Sequence, residues 1–163
     1  MNDRVTNVVI AGLGGQGVLK ASDILGEVAF EAGLDVKKAE VHGMAQRGGS
    51  VSTDVRFGPR VLSPMVPRGE ADYLVVLEAD QLDPNRHVLR AAGVAIVPAA
   101  VDVKALTSPR SINVALLGVL SNHLPFDAEL WRRAIRAEFP ERLHEANLAA
   151  FELGRAVARA SRP

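Results

Sequence analysis

The sequence predicts a three-layer α/β domain with a mixed, largely parallel sheet and C-terminal helices. Three observations carry this reading. A β-branched run at residues 5–11 breaks off in glycines and gives way to helical spacing. The stretch Tyr73-Leu74-Val75-Val76-Leu77 is apolar throughout, as in a strand covered on both faces. The last third of the chain carries helical patterns. The 163 residues suit a single domain spanning 1–163 and can enclose a real core.

The first strand, over 5–11, is VTNVVIA. Over 18–32, Val18, Leu19, Ala21, Ile24, Leu25, Val28 and Ala29 recur at helical spacing, and Gly33 stands where a C-cap glycine belongs. A second strand is read over 34–41. Over 50–57, Val51, Thr53, Val55 and Phe57 alternate with polar residues, the pattern of a half-exposed strand. A short extended piece at 61–66 lies between Gly58-Pro59 and Pro67, and it joins 50–57 as the expected antiparallel part of the sheet. After 73–77 come a helix over 80–92, broken early by Pro84, and a buried strand over 94–97. Helices over 112–122, 127–139 and 141–161 close the chain, with Asp127 as an N-cap and Pro125 and Pro140 in the gaps.

Composition removes several function classes. The chain is 48% hydrophobic, yet no apolar run approaches the roughly 18 residues of a membrane helix, so a soluble protein with no membrane partner is expected. MNDRVTNVVIAG at the start reads as a first strand rather than a signal peptide. There is no cysteine, so this chain supplies no disulfide, zinc thiolate or iron–sulfur ligand, and the cytoplasm is the default location. With 19 acidic and 19 basic residues and few aromatics, nothing argues for nucleic acid. Near-neutral charge gives weak support for life in a complex. His42, His87, His123 and His144 are scattered, which suggests no metal site, and no triad can be nominated, so no catalytic residue is assigned.

GLGGQG fits the G-x-G-x-x-G template through Gly12, Gly14 and Gly17, with Gly15 and Gln16 between them. It sits between a strand and a helix, where a Rossmann-like fold places it. Glycines allow the tight turn, and the helix N-terminus offers free N–H groups to an anion. The template also wants an acid at the far end of the second strand. Asp35 lies at the wrong end, and Glu40 is farther along than expected. Two readings stay open here: a bound phosphate-bearing ligand, or glycines that merely let strand and helix pack closely. An NAD- or FAD-binding protein acting alone is the alternative function. No GK[ST] follows, which excludes a nucleotide-hydrolysing P-loop.

A second polar cluster runs from His42 through Gln46, Arg47, Gly48 and Gly49 to Ser50. In a doubly wound sheet it should lie at the carboxyl end of the second strand, beside the glycine turn, where ligands bind. Arg47 can clamp a carboxylate or phosphate. His42 is a candidate proton donor, although a lone histidine is more often structural. Together with Gly12, Gly14, Gly15, Gln16 and Gly17, these are the candidate cofactor-binding residues. Glu78 and Asp80 either face the same crevice or cap the next helix.

Taken together, GLGGQGV at 12–18, EVHGMAQRGGSV at 40–51, VLSPMV at 61–66 and GEADYLVVLE at 69–78 resemble the gamma-type subunits of the 2-oxoacid:ferredoxin oxidoreductases. Within that family the beta subunit of the indolepyruvate type is most similar. The resemblance continues through Asn113, Leu117-Gly118 and Asn147-Leu148-Ala149-Ala150-Phe151 to Gly154, and its specific part ends in Gln46-Arg47-Gly48-Gly49.

The resemblance implies oxidative decarboxylation of a 2-oxoacid on thiamine diphosphate, electron transfer through iron–sulfur clusters to ferredoxin, and release of an acyl-CoA. In the indolepyruvate type the thiamine diphosphate and the clusters belong to a large alpha subunit, and the missing cysteines agree with that division. It follows that this chain is a subunit holding no cofactor alone, with CoA expected at the crevice of 12–17 and 42–50. Aryl-pyruvates are favoured by resemblance only. The chain ends at Pro163, somewhat shorter than expected for the indolepyruvate type.

Overall fold

The computed structural model describes residues 3–42 and 49–157, with the side chain of His42 outside that set. Five strands form one sheet: β1 (Thr6–Leu13), β2 (Asp35–His42), β3 (Ser50–Gly58), β4 (Ala71–Val76) and β5 (Leu89–Ile96). Their order is β2-β3-β1-β4-β5. β3 lies antiparallel between β2 and β1, while β1, β4 and β5 run parallel, so the sheet is mixed and largely parallel.

Chain direction explains the layers. After β1 the chain moves through α1 (Val18–Glu31) to β2 on one side; after β4 it moves through the short α2 (Leu82–Asn85) to β5 on the other. Right-handed crossovers in opposite directions put the connecting segments on opposite faces. β1 shows the result residue by residue. Val8 and Ile10 join one core with α1, α3 (Ile112–Ser121), α4 (Ala128–Glu138) and α5 (His144–Arg155). Val9 and Ala11 join a smaller core with Leu74 and Val76, roofed by Val66, Leu82 and Val88. The three layers are therefore unequal, thick on the helical face and thin on the other.

Most elements form where the periodicity places them. α1 ends in a Schellman arrangement: Gly33 has φ +88, and the N–H groups of Gly33 and Leu34 donate to Phe30 and Ala29. The alternation of β3 holds, with Thr53, Val55 and Phe57 buried. Asp127 caps α4 by accepting from Glu129 N–H at 2.8 Å. On the thick face, Trp131 and Phe151 are fully buried with ring centroids 5.8 Å apart, each contributing roughly 1.5–3 kcal/mol through burial. Gly118 and Gly154 bring α3 and α5 into backbone contact; a Cβ on Gly154 would collide with the Ala115 carbonyl.

Three expectations are corrected. The piece at 61–66 is not a strand. Pro64 and Pro67 lack donors, and side chains of the sheet take three of the remaining groups: Asp35 accepts Val61 N–H at 2.7 Å, Asp54 accepts Val66 N–H at 2.8 Å, and Arg56 donates to Ser63 O at 2.8 Å. Leu62 and Met65 project outward from it, 80% and 58% exposed. The helix expected over 80–92 stops at Val88 as short turns, because Leu89 already pairs with Ala71 and residues 89–92 belong to β5. Within the described part of the closing helix expected over 141–161, the chain splits into a 3-10 turn, Glu141–Leu143, and α5, His144–Arg155; residues 158–161 lie outside the described residues.

Candidate functional site

The sheet has its topological switch between β1 and β4, and the crevice of such a sheet opens at the strands' carboxyl ends. The turn after β1, the start of β3 and the residues after β4 meet there.

The glycine turn closes with Gln16 N–H donating to Leu13 O at 3.1 Å. Gly15 and Gly17 have φ +86 and +82, left-handed values that side chains rarely adopt. Gln16 folds back over the turn: its Oε1 accepts Leu13 N–H at 2.7 Å and its Nε2 donates to Glu78 Oε2 at 2.9 Å. A Cβ on Gly12 would come within 2.9 Å of that Oε1, 3.0 Å of Val18 and 3.2 Å of Leu77. Gly12 is thus a close-packing glycine. Glu78, read from sequence as either facing the crevice or capping a helix, faces the crevice and makes no side-chain cap.

Gly17 is the N-cap of α1 and supplies no side-chain cap; no acidic residue occupies the first turn. The first helical bond there runs from Ala21 N–H to Gly17 O, so the amides of Val18, Leu19 and Lys20 precede any helical acceptor. Free amides and the helix dipole favour an anion at this place.

The two clusters expected to lie together do so at Gly49, whose carbonyl accepts Gly14 N–H at 2.9 Å. Ser50 pairs with Leu13, and the His42 backbone pairs with Val51. The neighbour of β1 is β3, not β2, so the contact is made by the start of the third strand. Gln46, Arg47, Gly48 and the His42 side chain lie outside the described residues.

Sequence reasoning about the site passed over Asn113. This residue is 3% exposed, and its Nδ2 donates to Gly17 O at 3.2 Å, docking the start of α3 against the start of α1. A polar residue at the head of the apolar stretch INVALLGVLS is the signal that could have found it. A Cβ on Gly17 would strike this amide.

The geometry counts against a private dinucleotide site. β3 separates β2 from β1, so the acid that should hold a ribose beside β1 has no strand to sit on. Asp35 is engaged with Val61 at the opposite edge, and Gly14 N–H is already satisfied by Gly49. Among the described residues, no group of three or more His, Asp or Glu side chains is placed to hold a metal ion.

Fold and site define a doubly wound α/β domain with a polar crevice at its switch point. Residues 7–157 match the family described as pyruvate ferredoxin/flavodoxin oxidoreductase, and the chain belongs to that family. It is 34% identical to the indolepyruvate oxidoreductase subunit IorB of Thermococcus kodakarensis, covering 91% of this chain and 93% of the relative. In fold it is similar to the gamma subunit of a keto/oxoacid ferredoxin oxidoreductase from Geobacter sulfurreducens, with a TM-score of 0.78 and 20% identity over 95% of this chain and 97% of that one. It also matches 31% of the chain of a 2-oxoglutarate:ferredoxin oxidoreductase from Magnetococcus marinus, whose structure holds 2-oxoglutarate, coenzyme A and succinyl-CoA; the TM-score is 0.79, with 20% identity over 96% of this chain. The chain is accordingly a small subunit of a multi-subunit 2-oxoacid oxidoreductase.

Proposed function

We propose that this chain is the small subunit of a cytoplasmic complex oxidising indolepyruvate or a related aryl-pyruvate, and that its crevice receives the phosphate-bearing end of CoA. The observation that carries the CoA assignment is the set of amides at the start of α1 that lack helical acceptors, placed in one crevice with the Gln16–Glu78 pair. The indolepyruvate oxidoreductase subunits among its relatives support the substrate class.

Thiamine diphosphate and iron–sulfur clusters, assigned to a large alpha subunit, supply the carbanion and redox chemistry, with ferredoxin as acceptor. This chain contributes binding and orientation. Amides at the start of α1 favour a phosphate, Arg47 adds a bidentate cation, and Glu78 beside Gln16 offers an acceptor for a hydroxyl or amine donor. Asn113 positions this apparatus by docking α3 on Gly17.

Co-expression with the large subunit tests the assignment. Turnover of an aryl-pyruvate with CoA and a low-potential acceptor should require both chains; a large subunit fully active alone would defeat it. The CoA placement is tested separately by Gly14→Asp with Arg47→Ala in the assembled enzyme. CoA affinity should fall at least tenfold, and unchanged affinity would sink the placement while leaving the subunit assignment standing.

A further inference from the structure

Opposite the crevice, at the amino ends of β1, β4 and β5, lies a pocket of about 290 Å³ lined by Arg4, Asn7, Arg56, Glu70 and Arg90. Asp72 sits behind it, 8% exposed, and is shared by two arginines: its Oδ1 accepts from Arg4 Nη2 at 2.7 Å and forms an ion pair with Arg90, whose Nε lies 2.8 Å away without hydrogen-bond alignment. Its Oδ2 accepts Asn7 N–H at 2.8 Å. Among the described residues Arg56 donates hydrogen bonds to neutral acceptors, Asn7 Oδ1 at 2.8 Å and Ser63 O at 2.8 Å, and it lies within electrostatic reach of Asp54. Two guanidiniums therefore share one buried carboxylate while that of Arg56 lines the same pocket, and among the described residues Glu70 forms no ion pair with any of the three. Each guanidinium fork retains N–H groups beyond those used.

We propose that this pocket is a second anion site, for the phosphate group of a small molecule. Guanidinium forks pair with tetrahedral oxyanions bidentately and remain charged at every physiological pH. The three arginines come from separate parts of the chain and are held in place by Asp72, Asn7 and Ser63, so little ordering is left for the ligand to impose. The eight residues of β1 put roughly 23 Å between this pocket and the crevice, at about 3.3 Å per residue. The site is thus independent of the CoA reading.

Titration calorimetry of inorganic phosphate into the full-length chain, against chloride at matched ionic strength, tests the proposal. A Gly14→Asp background suppresses anion uptake at the crevice. Saturable binding is expected, weakened roughly tenfold by Arg56→Gln and strengthened a few-fold by Glu70→Gln, an exposed change that leaves the fold intact. The opposite signs keep the test decisive even if Arg56→Gln fails to fold, because Glu70→Gln then carries it alone. Absence of saturable binding, or binding indifferent to Glu70→Gln, overturns the proposal. So does an Arg56→Gln variant that loses only its association with the large subunit, which would make the pocket a docking surface.

Discussion

At the carboxyl edge of the sheet, Gly14, Gly49, Gln16 and Asn113 arrange backbone and amide groups around two helix starts. At the amino edge, Arg4 and Arg90 hold Asp72, and Arg56 lines the same pocket. Both edges face the same problem, the unpaired polar groups where strands end. One solves it with chain geometry, which leaves no room for an added atom at Gly12 or Gly17; the other solves it with long charged side chains, which tolerate shape change but not loss of charge. The difference teaches which kind of substitution each edge should notice.

The largest effect is expected at the amino edge. Asp72→Ala leaves the Arg4 guanidinium and the Asn7 amide without their acceptor and Arg90 without its counter-ion, and should cost about 3 kcal/mol, toward the low end for a broken buried pair because the Arg4 and Arg90 side chains are 50% and 39% exposed. Urea unfolding at pH 7 measures it, and a loss below about 1 kcal/mol would mean the cluster is solvated.

Next comes the carboxyl edge. Gly17→Ala forces a methyl into a left-handed position and against Asn113, for an expected loss of about 2 kcal/mol. If the edge is built on backbone geometry, Gly15→Ala should cost less, since its Cβ would meet open space. Equal losses for the two would show that left-handed strain alone matters there.

The smallest effect concerns the segment laid across the thin face. Burial pushes the Asp54 carboxyl above its ordinary 3.8, against the pull of Val66 N–H and Arg56. A carboxyl raised in the folded state contributes stability that is full below pH 3.8 and is lost as pH rises through the folded-state value. Asp54→Asn keeps an acceptor for Val66 without the charge. It should flatten the pH dependence above pH 3.8 and shift stability at pH 7 by less than about 1 kcal/mol. Unfolding midpoints from pH 4 to 7 check it, and a loss of stability in Asp54→Asn that is uniform across that range would mean the charge is stabilising.

Much of the carboxyl edge was legible beforehand, because strand, glycine turn and helix are consecutive in the chain. Its physics is local: an apolar run, glycines where φ turns positive, then helical spacing. The helix read over 80–92 failed because pairing of Leu89 with Ala71 outweighed local propensity. Asn113 went unassigned because Gly17 is far from it in sequence and only packing brings them together.

By itself the sequence determined the α/β class, the strand–turn–helix at Gly12 to Gly17, the alternation of β3 and the family, since each is written in short-range patterns of residue size and polarity. The tertiary structure alone decided that β3 separates β1 from β2, that Gln16 reaches Glu78, and that Arg4, Arg56 and Arg90 share a pocket. Those outcomes depend on which strands pair and in what register, and pairing between distant segments is settled by burial over the whole core rather than by any neighbouring residue.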